Sequence, residues 1–168
     1  MKRLIIVAVL FVFITTASAF PVKRSRKPLV EFGPKANLYI GSVRFGIGTE
    51  LIVNPLRNLG IRMDLVEFSF GDDLTTFYMN YGGSLDALIH FPAQGMNPYF
   101  YGGFSLFSFD RDRFSDTYFT FRFGLGLEHA WDRNTNVFVE PGLIIADAGG
   151  ETETIFRLSA GARLGILR

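Results

Sequence analysis

The stretch "TYFTFRFGLGLEHA", residues 117–130, decides the fold. Phe119, Phe121, Phe123, Leu125 and Leu127 fall on one side, and Thr120, Arg122, Gly124, Gly126 and Glu128 on the other. Strict alternation of this kind defines an extended strand with one apolar and one polar face, because successive side chains leave a strand on opposite sides. In a soluble sheet the phenylalanines would build the core. In a membrane barrel they would meet lipid, and the arginine and glutamate would be enclosed.

The same alternation recurs along the chain. In "TIFRLSAGARLGIL" (154–167), Phe156, Leu158, Ala160, Ala162, Leu164 and Ile166 oppose Arg157, Ser159, Gly161, Arg163 and Gly165. In the fourth segment Phe77, Met79, Tyr81, Leu85, Ala87, Ile89 and Phe91 oppose Thr76, Tyr78, Asn80, Ser84, Asp86 and His90. Eight antiparallel strands are expected, at 29–40, 43–53, 59–70, 75–91, 98–108, 117–129, 137–146 and 154–167. Between them lie the weakly marked Gly41-Ser42 and the turn-rich "NPLRN" (54–58), "GDD" (71–73), "AQGMN" (93–97), "DRDRFSD" (110–116), "WDRNT" (131–135) and "DAGGE" (147–151). Most of these strands far exceed the ~5–6 residues of globular sheets and approach the ~9–11 that cross a bilayer at a tilt. In the third strand the phase slips near Leu65–Val66, which predicts a bulge.

The polar face settles the orientation. A solvent face normally carries long or β-branched residues, since glycine there weakens a strand. Here it is rich in glycine: Gly46, Gly48, Gly82, Gly124, Gly126, Gly142, Gly161 and Gly165. It also carries Arg44, Glu50, Arg62, Asp64, Asp86, Arg122, Glu128, Glu140, Arg157 and Arg163, charges of both signs. Small residues beside pairable charges suit the narrow interior of an eight-stranded barrel. From residue 28 onward Lys35 is the only lysine, and the remaining ten bases are arginine. The planar guanidinium fork favours enclosed pairing with carboxylates. The apolar face is therefore expected to look outward to lipid. Closure would remove the sheet edges that a membrane does not tolerate. Phe68, Phe70, Phe91, Tyr99, Phe109, Tyr118, Trp131 and Phe138, near strand ends, are expected to form interfacial girdles.

The N-terminus reads as an export signal. Lys2 and Arg3 precede an apolar run from Leu4 to Ile14, and Ala17-Ser18-Ala19 gives the small-residue cleavage pattern. The run is too short to span a bilayer as a helix, which takes about 20 residues. The expected organisation is a cleaved signal peptide over 1–19, a basic periplasmic leader over 20–28, and a barrel over 29–168. The leader "VKRSRK" holds Lys23, Arg24, Arg26 and Lys27; from residue 28 the chain carries 11 basic against 16 acidic residues. Such a domain lacks the clustered basic charge of a nucleic-acid surface. The absence of cysteine excludes thiolate catalysis and cysteine zinc sites.

These patterns resemble the small eight-stranded outer-membrane barrels of Gram-negative bacteria, the OmpA-like and OmpX-like group. The likeness is carried by "GIRMDL" (60–65), "NPYFYGGFSLF" (97–107), "FRFGLGLEH" (121–129), "VFVEPG" (137–142) and "LSAGARLGI" (158–166). It implies an all-β, up-and-down transmembrane barrel with a packed polar lumen. Both termini and the turns at 54–58, 93–97 and 131–135 would face the periplasm. The loops at 41–42, 71–74, 110–116 and 147–153 would face outside. It also implies outer-membrane lipid and lipopolysaccharide as surroundings, the outer-membrane assembly machinery as a partner, and a monomer. One departure stands out: such barrels usually end in an aromatic residue, whereas this chain ends "GILR" with Arg168.

Candidate chemistry is sparse. Ser84, Asp86 and His90 share a face, but i and i+2 lie about 6.6 Å apart along a strand and His90 about 13 Å beyond Asp86, so no triad arises within it. His129 beside Glu128 is expected at the interface. Two histidines and no cysteine argue against a transition-metal site. Asp110, Asp112 and Asp116 lack the glycine and closing glutamate of a calcium loop. No catalytic, cofactor or metal residues are assigned. The lumenal charges are expected to act structurally, Arg62, Arg122, Arg157 and Arg163 pairing with Asp64, Asp86, Glu128 and Glu140. The leading expectation is a non-enzymatic envelope-stabilising or surface-interaction barrel. The alternatives are a narrow pore, a lipid A-modifying enzyme and a soluble lipocalin-like carrier.

Overall fold

A computed structural model describes residues 27–40, 44–70, 77–91, 96–111, 114–148 and 151–168. The expected signal segment, the leader through residue 26 and the expected loops at 41–42 and 71–74 lie outside the described residues. Eight strands run in chain order: β1 Val30–Ile40, β2 Arg44–Leu56, β3 Leu59–Phe70, β4 Phe77–His90, β5 Met96–Arg111, β6 Phe114–Ala130, β7 Thr135–Ala148 and β8 Glu151–Leu167. Each pairs antiparallel with the next, and β1 closes on β8, from Val30↔Leu167 to Ile40↔Phe156.

Alternation sorts the side chains as the opening stretch requires. Phe119, Phe121, Phe123 and Leu125 point outward, Leu125 being 64% exposed, while Thr120, Arg122 and Glu128 are buried inside. Arg62, Arg157 and Arg163 lie fully enclosed, at 0–1% exposure. This inside-out polarity removes the carrier reading, in which the phenylalanines would line a cavity.

The phase slip in β3 is a bulge. Glu50 faces Asp64 and Thr49 faces Val66, so Leu65 is the extra residue against β2, and the register against β4 shifts at the same place. The lumenal positions therefore change from Gly60, Arg62 and Asp64 to Glu67 and Ser69. A bulge inserts one residue and so reverses the parity of everything beyond it.

Three connections differ from expectation; one is the loop at 147–153, where β7 and β8 stay paired out to Ala148↔Glu151. The β2–β3 turn narrows to Arg57 and Asn58, because β2 continues through Asn54 and Pro55 to Leu56. The segment 110–116 is mostly strand: β5 and β6 stay paired out to Arg111↔Phe114, so polar composition there marks a protruding hairpin rather than a loop. The turn at 131–134 forms as expected. Asp132 Oδ1 accepts from the backbone N–H groups of Asn134 and Thr135 at 2.7 and 2.8 Å, an aspartate turn within the chain itself.

Candidate functional site

The lumen is the only place where the described residues gather reactive groups, and its layers can be followed from the mouth where β1 begins and β8 ends. At this mouth Glu31 Oε2 accepts from Asn54 Nδ2 at 2.8 Å and Oε1 from Asn136 Nδ2 at 2.9 Å. Lys27 Nζ reaches His90 Nε2 at 2.6 Å and stands 4.0 Å from Glu31. Burial lowers the Lys27 pKa from the ordinary lysine value, while Glu128 and Glu31 oppose that shift.

Arg163 organises the next layer. Its Nε donates to Glu50 Oε1 at 2.6 Å, Nη1 to Glu128 Oε2 at 2.9 Å, and Nη2 to Glu140 Oε1 at 2.7 Å. Its guanidinium carbon lies 3.9 Å above the Phe138 ring, a cation–π contact. Arg62 follows, donating through Nε to Asp86 Oδ2 at 2.8 Å and through Nη1 to Glu140 Oε1 at 2.6 Å. Arg122 then grips Asp86 with two parallel bonds, Nε to Oδ1 at 2.6 Å and Nη2 to Oδ2 at 2.5 Å. Its Nη1 reaches Asp64 Oδ2 at 2.5 Å and its Nη2 Ser84 Oγ at 2.6 Å. Lys35 Nζ completes the chain, 2.6 Å from Asp64 Oδ1. Charge-assisted, forked contacts of this sort are the strong and geometrically specific ones.

Of the ten charged residues singled out from the alternation, eight are joined in this network. Arg157 departs from the expected pairing. It is buried beside tyrosines, with Nη2 3.4 Å from Tyr101 Oη, and forms no carboxylate ion pair among the described residues. Arg44 begins β2 opposite Tyr39, and its side chain lies outside the described residues.

Two aromatics expected in the girdles belong to the lumen instead. Tyr99 donates to Glu140 and accepts from Arg163, and Phe138 carries the Arg163 guanidinium. The physical reason is space left by glycine. A Cβ on Gly126 would run into the Tyr99 ring, and one on Gly142 into the Tyr101 hydroxyl. Phe138 shares parity with Glu140 and Gly142, a signal that was readable; Tyr99-Phe100-Tyr101 puts aromatics on both faces, so parity alone could not choose there. Trp131 and Phe91 do face outward at strand ends, while the side chains of Phe109 and Tyr118 lie outside the described residues. Lys35, Glu31, Glu67 and Tyr39 were missed, Glu67 accepting from Tyr39 Oη.

No catalytic arrangement forms from the serine, aspartate and histidine of β4. Ser84 accepts from Arg122 and from the Asp64 N–H, Asp86 is held by two arginines, and His90 faces Lys27. Among the described residues no three His, Asp or Glu side chains cluster as metal ligands.

A closed eight-stranded sheet with an apolar outer wall and an ion-paired interior defines a small transmembrane β-barrel. Solved structures share this fold. Neisserial surface protein A aligns with a TM-score of 0.60 at 14% identity, covering 82% of this chain and 96% of that one. The N-terminal barrel domain of Pseudomonas aeruginosa OprF aligns at 0.53 and 18% identity, covering 80% and 96%. A de novo designed transmembrane β-barrel aligns at 0.52 and 11% identity, covering 85% and 100%. Neither a family model nor a curated protein sequence matches the chain.

Proposed function

We propose that the protein is a non-enzymatic, integral barrel of the bacterial outer membrane, monomeric, with an envelope-stabilising or surface-interaction role. The observation that carries this reading is the unbroken relay of buried ion pairs from Glu128 through Arg163, Glu140, Arg62, Asp86, Arg122 and Asp64 to Lys35. It joins side chains of β1, β3, β4, β6, β7 and β8 to one another along the lumen, the arrangement expected of a plugged barrel. The apolar wall then makes outer-membrane lipid, lipopolysaccharide included, the natural surrounding, with the assembly machinery as the route of insertion. The fold shared with Neisserial surface protein A and the OprF barrel supports the location.

Planar-bilayer recording tests the reading. A closed lumen gives no steps of conductance at 1 M salt, whereas regular ohmic steps would make the protein a pore. Lipid A masses before and after expression supply the second arm: unchanged masses agree with a non-enzymatic barrel, and a new acylated or deacylated species would overturn it.

A further inference from the structure

Residues 27–29, which precede β1, lie across the mouth of the barrel. Leu29 N–H donates to Leu167 O at 2.7 Å, and Asn54 donates through its backbone N–H to Leu29 O at 2.8 Å and through Nδ2 to Pro28 O at 2.9 Å. Pro28 is buried against Gly165, where an added Cβ would approach the Pro28 ring at 2.5 Å. Lys27 Nζ lies within the mouth, 2.6 Å from His90 Nε2. An ammonium can only donate, so this contact needs an imidazole nitrogen carrying no proton.

We propose that residues 27–29 are an acid-released strap, held across the mouth at neutral pH by the Lys27–His90 contact and let go when His90 is protonated. Protonation removes the acceptor and sets two cations at hydrogen-bond distance. Tyr99 of β5 packs against the His90 ring, and Lys27, Glu128 of β6, Arg163 of β8 and Glu140 of β7 act on it electrostatically, while Glu31 of β1 stands 4.0 Å from Lys27 and accepts from the uncharged Asn54 of β2. Arg163 is shared among Glu50, Glu128 and Glu140, so the groups that bear directly on Lys27 are His90 Nε2 at 2.6 Å and Glu31 at 4.0 Å. Lys27 is the partner able to yield, being on a non-strand segment with its side chain 15% exposed. Release then carries Lys27 into solvent, next in sequence to the bases Lys23, Arg24 and Arg26.

Hydrogen exchange on the full mature chain in detergent micelles tests this, between about pH 7.5 and pH 5, the window in which histidine titrates. The readout is the Leu29 amide, corrected for intrinsic exchange and referred to the Phe123 amide in the wall. Wild type is expected to lose about tenfold or more of its Leu29 protection on acidification, and His90→Gln to show no such change. Protection independent of pH in wild type overturns the proposal. So does an equal loss in His90→Gln, which would assign the titration to Glu31. Lys27→Met, which keeps His90, should leave Leu29 poorly protected at both pH values; protection retained in that variant also overturns the strap.

Discussion

Arg163 and Glu50 stand on β8 and β2, strands that do not pair, and yet Arg163 Nε donates to Glu50 Oε1 at 2.6 Å with both side chains fully enclosed. Strand β1 runs between them, and at the position opposite Glu50 it has Gly33. The missing side chain there leaves the two free to meet across the lumen. One guanidinium thus ties β2, β6, β7 and β8 through Glu50, Glu128 and Glu140.

Removing one member of this set strands a charge in a medium that solvates it poorly. Glu128→Ala is expected to lose roughly 3–5 kcal/mol, the usual cost of breaking a buried pair from one side. Arg163→Met should lose more, since three carboxylates are left without it. Heat-modifiable gel mobility and thermal unfolding in detergent read both; an unshifted midpoint for Glu128→Ala would remove Glu128 from the network.

Gly142 and Tyr101 form a lock that can be tested by a double-mutant cycle. Gly142→Ala drives a methyl into the Tyr101 hydroxyl and is expected to cost about 1–3 kcal/mol by overpacking. Tyr101→Phe removes the atom in conflict, so the double variant should be more stable than the sum of the single losses allows. Additive losses in urea unfolding would show that the two do not meet.

The ion pairs are shut away from salt. Screening over a Debye length of about 10 Å at 0.1 M acts on exposed charges and much less on buried ones. Raising salt from 0.1 to 1 M should therefore leave the wild-type unfolding midpoint nearly unchanged. A steep fall would mean that water and ions enter the lumen.

Asp132 gives a pH dependence of known sign. Its carboxylate accepts from two backbone N–H groups and is held below the ordinary aspartate value of 3.8. A carboxylate depressed in the folded state adds stability above its unfolded pKa, and that stability is lost as pH falls through the folded value. Below about pH 4, wild type should converge on Asp132→Ala in stability; a gap between them that persists at pH 2 would contradict the turn's role.

The wall of the barrel was legible because lipid contact imposes strict alternation on every strand. The turn at 131–134 and the bulge at Leu65 were legible for the same reason: each interrupts a regular pattern. The lumen was only half legible. Parity placed Arg62, Arg122 and Arg163 inside, but could not tell that Arg157 would rest among tyrosines while Asp64 drew Lys35. Pairing across a barrel depends on height along the axis, which strand tilt and stagger set and alternation does not encode. Lys27 reads in the sequence as one more base of the leader, because nothing in "VKRSRK" signals that the last of its bases turns inward.

The position of Arg163 has a consequence in time. It lies in β8, after the other seven strands of the barrel in chain order, whereas Glu50, Glu128 and Glu140 come from β2, β6 and β7. A nascent sheet lacking β8 carries these carboxylates with only Arg62 to share between two of them. Such a sheet is poorly suited to close around its own charge or to enter an apolar phase. Arrival of β8 supplies both the missing edge and the missing cation in one event. One strand thus supplies both the seam with β1 and the cation that neutralises Glu50, Glu128 and Glu140.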